Sequence, residues 1–183
     1  MIWLRLLAMF AIVSGLTAPL PAARGSADLV APIMDLHNRE RALFGQNQLA
    51  WSPSLAREAQ DWADELARRG VLQHAGRTAT RGAGENLWMG TAGYYSIEDM
   101  IGGFVEEKRH FQPGRFPDVS RTGDWIDVGH YTQMIWPTTQ EIGCALATGA
   151  GQDVLVCRYW PAGNWMGHMV GFEPEGRARR TAP

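Results

Sequence analysis

Cys144 and Cys157 are the two thiols of the chain, and three chemistries are open to them: a metal site, buried free thiols or a disulfide. Their separation lacks the closely spaced cysteine pairs of zinc knuckles, which argues against metal. Segments 141–148 and 152–160 both read as strands, with Gly149-Ala150-Gly151 between them. Setting Cys144 opposite Cys157 makes Gly149 face Gln152 and leaves Ala150-Gly151 as a two-residue turn. That register gathers Ile142, Cys144, Leu146, Leu155, Cys157 and Tyr159 on one face. Directly opposed residues lie about 4.5–5.5 Å apart at Cα, within disulfide reach. A cross-strand disulfide is expected, and with it an oxidising compartment. Common hydrolase and nucleotide signatures are missing, since the sequence holds no HExxH, GxSxG or GxxxxGK[ST].

Any site must be positioned by this hairpin and by three helices. The first is expected over residues 28–44, with Pro32 in its first turn and Gly45 ending it. The second begins after Ser52, a capping residue, has Pro53 in first position and stops at Gly70. Its apolar stripe is Leu55, Ala59, Trp62, Ala63 and Leu66. The third is expected over residues 97–111, capped by Ser96 with Asp99 at its positive end. Ile97, Met100, Ile101, Phe104 and Phe111 form its stripe, which Gly102-Gly103 would weaken unless another backbone packs closely there. A loop of small and polar residues, then Gly84-Glu85-Asn86-Leu87-Trp88, joins the second helix to the third. Residues 112–127 carry two Pro, two Gly and mixed charges and read as a long surface loop. The pattern describes one α+β domain.

Composition narrows the function classes. A chain of 183 residues with 45% hydrophobic and 20% charged residues is a globular domain, neither disordered nor fibrous. Eight Trp supply rigid apolar area for a core. A net charge of −2 and a pI near 6.2 leave no basic field for nucleic acid. Residues 1–27 read as a secretory signal: Arg5 precedes an apolar run over residues 6–16, and Gly25-Ser26-Ala27 suits cleavage before Asp28. No later run approaches the roughly 18 apolar residues of a membrane span. The expectation is a secreted protein, periplasmic or extracellular. Its domain would cover residues 28–172, and residues 173–183 would form a solvated tail.

Two segments, GHYTQMIW from Gly129 to Trp136 and LVCRYWPAGNW from Leu155 to Trp165, resemble the signatures of the CAP superfamily, or SCP domain. That family groups cysteine-rich secretory proteins, venom antigens, plant pathogenesis-related proteins and bacterial secreted proteins. His37-Asn38 with Arg41, the stretch Leu49-Ala50-Trp51, and Gly84-Glu85-Asn86-Leu87 resemble its remaining elements in order. The resemblance implies a three-layer α-β-α sandwich around a small central antiparallel sheet. It also implies a cleft of two His and two Glu, which fall here on His74, Glu85, His130 and a glutamate of Phe104-Val105-Glu106-Glu107. The family pattern selects Glu107. Helix geometry agrees, because at about 100° per residue Glu106 points away from the third helix's stripe while Glu107 lies on its flank. Glu106 is the fallback.

Such a cleft has two readings. His74 and His130 could hold a divalent transition metal, zinc foremost, with each Glu fixing an imidazole through its other nitrogen. Alternatively, the four side chains satisfy one another's hydrogen bonds and tie the layers together. No cofactor is required in either case, and the sequence identifies no catalytic residue. The function expected is a secreted module binding a small apolar ligand or a macromolecular partner. A metal-dependent hydrolase of peptides or esters, with Glu as general base, is the alternative. Gln133 is a candidate for cleft lining and Trp136 for core packing. His37, Asn38 and Arg41 are expected to tie the first helix to neighbouring loops, and Asn86 and Asn164 to bond loop backbone. Trp88, Tyr94, Tyr95 and Trp125 could form an exposed aromatic rim. Val128 stands where many eukaryotic members carry a cysteine.

Overall fold

The computed structural model describes residues 26–171 apart from residue 77, with backbone alone for residues 26–28. The leader assigned to residues 1–27 lies outside the described residues except for its last two, which open the first helix. The tail at 173–183 lies wholly outside them.

Helix α1 spans Ser26–Ala42, two residues earlier at each end than the pattern implies, so Pro32 falls in its second turn. A two-residue strand, β1 (Ala50–Trp51), leads into α2 (Pro53–Arg69). Gly70 closes α2 in the left-handed region at φ 63°. Ser52 occupies the cap position without capping: its hydroxyl meets that of Ser54 at 3.0 Å. Helix α3 (Ile97–Glu106) begins with a true capping box. Ser96 Oγ accepts from the Asp99 N–H at 3.1 Å, and the Asp99 carboxylate accepts from the Ser96 N–H at 2.9 Å. Ser96 also holds the Asp99 carboxyl below its ordinary pKa. Replacing Ser96 with alanine is therefore expected to cost about 1 kcal/mol, while Ser52→Ala should change stability by only a few tenths; urea denaturation of the two variants separates them.

The α-helical part of α3 ends at Glu106, and one 3₁₀ turn, Glu107–Arg109, replaces the rest of the expected helix to residue 111. Among the described residues, no other backbone packs closely at Gly102-Gly103, so nothing offsets the weakening these glycines bring. A Cβ on Gly102 would meet nothing within 4 Å, and one on Gly103 would make ordinary contact with Trp88 at 3.7 Å.

Strands β2 (Gly84–Thr91), β4 (Glu141–Gly149) and β5 (Gln152–Trp160) form the central sheet, in the order β1-β4-β5-β2. All pairings are antiparallel except the short β1–β4 edge. The hairpin takes the expected register, with Cys144 opposite Cys157 and Gly149 opposite Gln152. Ala150 and Gly151 turn it with φ of 49° and 76°, as a twist-matched two-residue loop requires. Cys144 and Cys157 are disulfide-bonded across the pair, their Cα atoms 4.1 Å apart.

The sheet separates two apolar layers. One face, with Ile142, Cys144, Leu155, Cys157 and Tyr159, packs with Ile33 of α1, with Met100, Ile101 and Phe104 of α3, and with Trp136. The other, with Leu87, Ala145, Ala147, Val154 and Val156, receives Ala59, Ala63, Leu66 and Ala67 of α2. Alanine on both sides brings helix and sheet together. At Gly143 the approach is closest, since a Cβ there would sit 2.3 Å from the Ala56 backbone nitrogen. The result is the α-β-α sandwich of an α+β domain. No helix among the described residues is long and apolar enough to cross a membrane.

Residues 112–127 run over the surface, as their composition suggests, with most side chains exposed, but the segment is pinned to the body of the protein. Phe111 bridges to Ser120, and β3 (Gly114–Arg115) pairs with β6 (Met169–Val170). Phe116 and Val119 enter the larger core, where the Phe116 ring lies 5.2 Å from Trp125 and 5.9 Å from Trp136. The partner strand is remote in sequence, so local pattern does not reveal it. A 3₁₀ turn, Trp125–Val128, then delivers the chain to α4 (Gly129–Met134).

Candidate functional site

Strand alternation divides the site. Glu85 and Asn86 are neighbours on β2, so they face opposite sides of the sheet. Glu85 points to the α2 layer, directly across from Arg158 of β5. Its Oε1 accepts from His74 Nδ1 at 2.6 Å and from the Ala75 N–H at 3.0 Å. Arg158 Nη1 lies 2.9 Å from Oε2, an ion pair whose angles fall short of a hydrogen bond. The Glu85 side chain is only 5% exposed, whereas that of His74 is 64% exposed. The carboxylate is thus a buried anchor for an imidazole that reaches solvent.

Asn86 serves the other half. Its Nδ2 donates to the His130 carbonyl at 3.0 Å and to the Tyr159 hydroxyl at 3.1 Å. His130 lies in the first turn of α4, its ring stacked on Phe104 with centroids 4.8 Å apart. The change from α to 3₁₀ geometry after Glu106 brings Glu107 against this turn. Glu107 Oε1 is 2.5 Å from His130 Nδ1, and Oε2 accepts from the His130 and Tyr131 N–H groups at 2.9 and 3.0 Å. A carboxylate there satisfies helix-terminal donors and opposes their partial positive charge. Glu106, the fallback, points outward and lies 3.9 Å from Arg109.

Glu40 of α1 fixes the turn that carries Glu107. Its Oε2 accepts from Lys108 Nζ at 2.8 Å and from the Tyr131 hydroxyl at 3.0 Å. Burial, then the Glu40 charge, raises the Tyr131 pKa, so the phenol remains a donor.

His74, Glu85 and His130 line one cavity of about 470 Å³, together with Asn86, Trp125, Ile126 and Asn164. Glu107 is not in its lining; it holds His130 from the side. Gln133 is not in the lining either, contrary to its sequence reading. It is buried, with Oε1 accepting from the Gly163 N–H at 2.8 Å and Nε2 donating to Thr139 Oγ1 at 3.3 Å. Only the first turn of the six-residue α4 faces the cavity, and residues 131–134 point into protein. Asn164 braces that turn by donating to the Gly129 carbonyl and accepting from Thr132. Among the described residues, no three His, Cys, Asp or Glu side chains are grouped closely enough to hold a metal ion by themselves.

His37, Asn38 and Arg41 of α1 have structural partners. Asn38 accepts from the Leu49 N–H, and Arg41 bonds backbone carbonyls between Asn47 and Thr139. His37 ties α1 to the sheet rather than to a loop: Nδ1 donates to the Ile33 carbonyl at 2.8 Å, and Nε2 accepts from the Tyr159 hydroxyl at 2.9 Å. Of the aromatic rim, Tyr94 stands 77% exposed, while Trp88, Tyr95 and Trp125 pack partly against the core. Sequence reasoning missed Arg158, Glu40 and Lys108. The first had a signal, because alternation along β5 puts a charge on the face that buries Val154 and Val156. The others depend on tertiary packing.

Two curated relatives share the overall pattern. Scoloptoxin SSD552 of Scolopendra dehaani is 30% identical over 180 residues, covering 90% of this chain and 84% of that protein. Mouse peptidase inhibitor R3HDML is 29% identical over 161 residues, covering 78% of this chain; the match spans only 62% of that longer protein. Among solved structures, the crystal structure of NaASP2 with Zn2+ superposes with a TM-score of 0.67 at 23% identity, covering 79% of this chain and 85% of that one, which is a likeness of fold. The family model for CAP, the cysteine-rich secretory protein family, matches residues 34–159, a stretch that carries all four His and Glu side chains just described, and the chain belongs to that family.

Proposed function

We propose that this protein is an exported binding module whose cavity takes a divalent transition metal, of the zinc class, through His74 and His130, beside a small and partly apolar ligand. The observation that carries the reading is the pairing of each cavity-lining imidazole with its own carboxylate at Nδ1. That pairing fixes the tautomer and leaves the Nε2 lone pair as the ring's donor to an ion. Two neutral imidazoles suit zinc by ligand type, and water or a ligand atom would fill the other positions. A bound ion would polarise an oxygen of the ligand. Trp125 and Ile126 supply an apolar wall to the same cavity. The family's secretory description, the scoloptoxin relative and the cross-strand disulfide support export. The crystal structure of NaASP2 with Zn2+ supports the choice of ion for this chain.

Calorimetric titration with zinc chloride tests the metal reading. The parent chain is expected to bind one ion weakly, and less well at acid pH, where protons compete for the same nitrogens. The His74→Ala/His130→Ala double variant should lose the signal while keeping its thermal transition. Binding as tight as the parent's would remove the metal from the proposal.

A further inference from the structure

The two imidazoles are anchored by different means, and the difference singles out one residue. Glu107 is held by two main-chain N–H groups at the start of α4. Glu85 has one such contact, the Ala75 N–H, made by the same oxygen that receives His74. Its other oxygen faces the Arg158 guanidinium across the β2–β5 pair. Arg158 is itself buried, on a strand flanked at that level by Gly143. Neither its Nε nor its Nη1 has a hydrogen-bond acceptor in good geometry. Burial draws its pKa down, and the charges of Glu85 and Glu58 draw it back up. A buried guanidinium with one close carboxylate is costly to keep, and here that carboxylate is the His74 anchor.

We propose that Arg158 is a positioning residue for the His74 half of the cavity: paired with Glu85 Oε2, it turns Oε1 toward His74 Nδ1 and so sets the imidazole's tautomer and direction without lining the cavity itself. The inference builds on the proposed ion site but does not stand or fall with it. Without Arg158, Glu85 loses its lateral hold, and rotation of the carboxylate would release the His74 ring, which solvent already reaches. His130, held through Glu107, would keep its geometry.

Two measurements on the full chain test this. Two-bond proton–nitrogen NMR of the imidazoles reads each tautomer with no metal present, and zinc titration reads affinity. Arg158→Met is expected to abolish the single Nδ1–H tautomer of His74, leave the His130 signals unchanged and weaken zinc binding about tenfold. Should Arg158→Met fail to fold, Arg158→Lys serves in its place, with one nitrogen for three and the same changes at smaller amplitude. A folded variant of either kind with the parent's His74 tautomer overturns the proposal. If the parent binds no zinc, the ion site fails, and the tautomer of His74 still decides the role of Arg158.

Discussion

Arg41→Met should remove about 3–5 kcal/mol of folding stability, or leave no cooperative transition, when followed by urea denaturation at pH 7. Arg41 is fully buried. Its Nε donates to the Asn47 carbonyl at 2.7 Å, Nη1 to those of Met134 and Trp136 at 3.1 and 2.8 Å, and Nη2 to that of Thr139 at 2.9 Å. These carbonyls belong to the loop after α1, to the last residue of α4 and to its connection to β4, so one planar fork fastens both stretches to one helix. Burial draws the Arg41 pKa down to about 10, and the group stays charged at neutral pH. Methionine fills much of the space but donates nothing, leaving four acceptors facing apolar surroundings. Lysine would keep the charge without the span, and Arg41→Lys should lose more than half as much. A loss below about 1 kcal/mol for Arg41→Met would mean that water or local rearrangement satisfies these carbonyls. Domains of this size are stable by about 5–15 kcal/mol, so the expected loss is a large share of the whole.

Mild acid should weaken the fold through His37. Full burial lowers its pKa from 6.5 to about 4, against the opposing hydrogen bond to the Ile33 carbonyl and with a lesser push from the Arg41 charge. In the unfolded chain the ring takes a proton as pH falls through about 6.5, while in the native state it remains neutral until about 4. Over that interval the unfolded state binds more protons, so stability falls with pH, by about 3 kcal/mol in all. Geometry gives the same answer. Asn86 donates to the Tyr159 hydroxyl, which donates to His37 Nε2; a protonated ring would turn that acceptor into a donor and strand the phenolic hydrogen. Denaturation at pH 7 and pH 4.5 checks the claim. His37→Gln, less stable at pH 7, should lose less between the two pH values than the parent. Equal losses in both proteins would assign the acid sensitivity to other groups.

What sequence reading captured, and what it missed, follows the range of the interactions. The hairpin around Ala150-Gly151 is local, so its register and the Cys144–Cys157 bond could be worked out from strand alternation and a two-residue turn. The ends of α2 were legible in Pro53 and Gly70, but the role of Ser52 was not, since its hydroxyl prefers Ser54. The full length of α3 was overestimated because Phe111 continues the apolar spacing. Phe111 is buried from beyond the 3₁₀ turn, so spacing and helix part company there. Composition marks residues 112–127 as a surface loop, which most of them form, but not the burial of Phe116 and Val119, since β6, far along the chain, returns to pair with β3. His74, Glu85, Glu107 and His130 were legible through family motifs, since a single sequence has no local pattern joining them. Gln133 shows the limit of a motif, which marks a residue without saying whether it faces solvent or packing. Arg158 lay in plain view as a charge in an apolar strand, and only its partner across the sheet gives that charge a meaning.

Glu85 and Asn86 sit side by side on the edge strand yet attend to opposite halves of the cavity. A point substitution at either position disturbs one half. Inserting a single residue between Gly84 and Glu85, with the pairing of Gly84 kept, would instead exchange their faces, sending the acid toward the Tyr159 side of the sheet and the amide toward the α2 side, so that both halves fail together. For the shape of this cleft, chain length within that short stretch is a stricter constraint than side-chain chemistry.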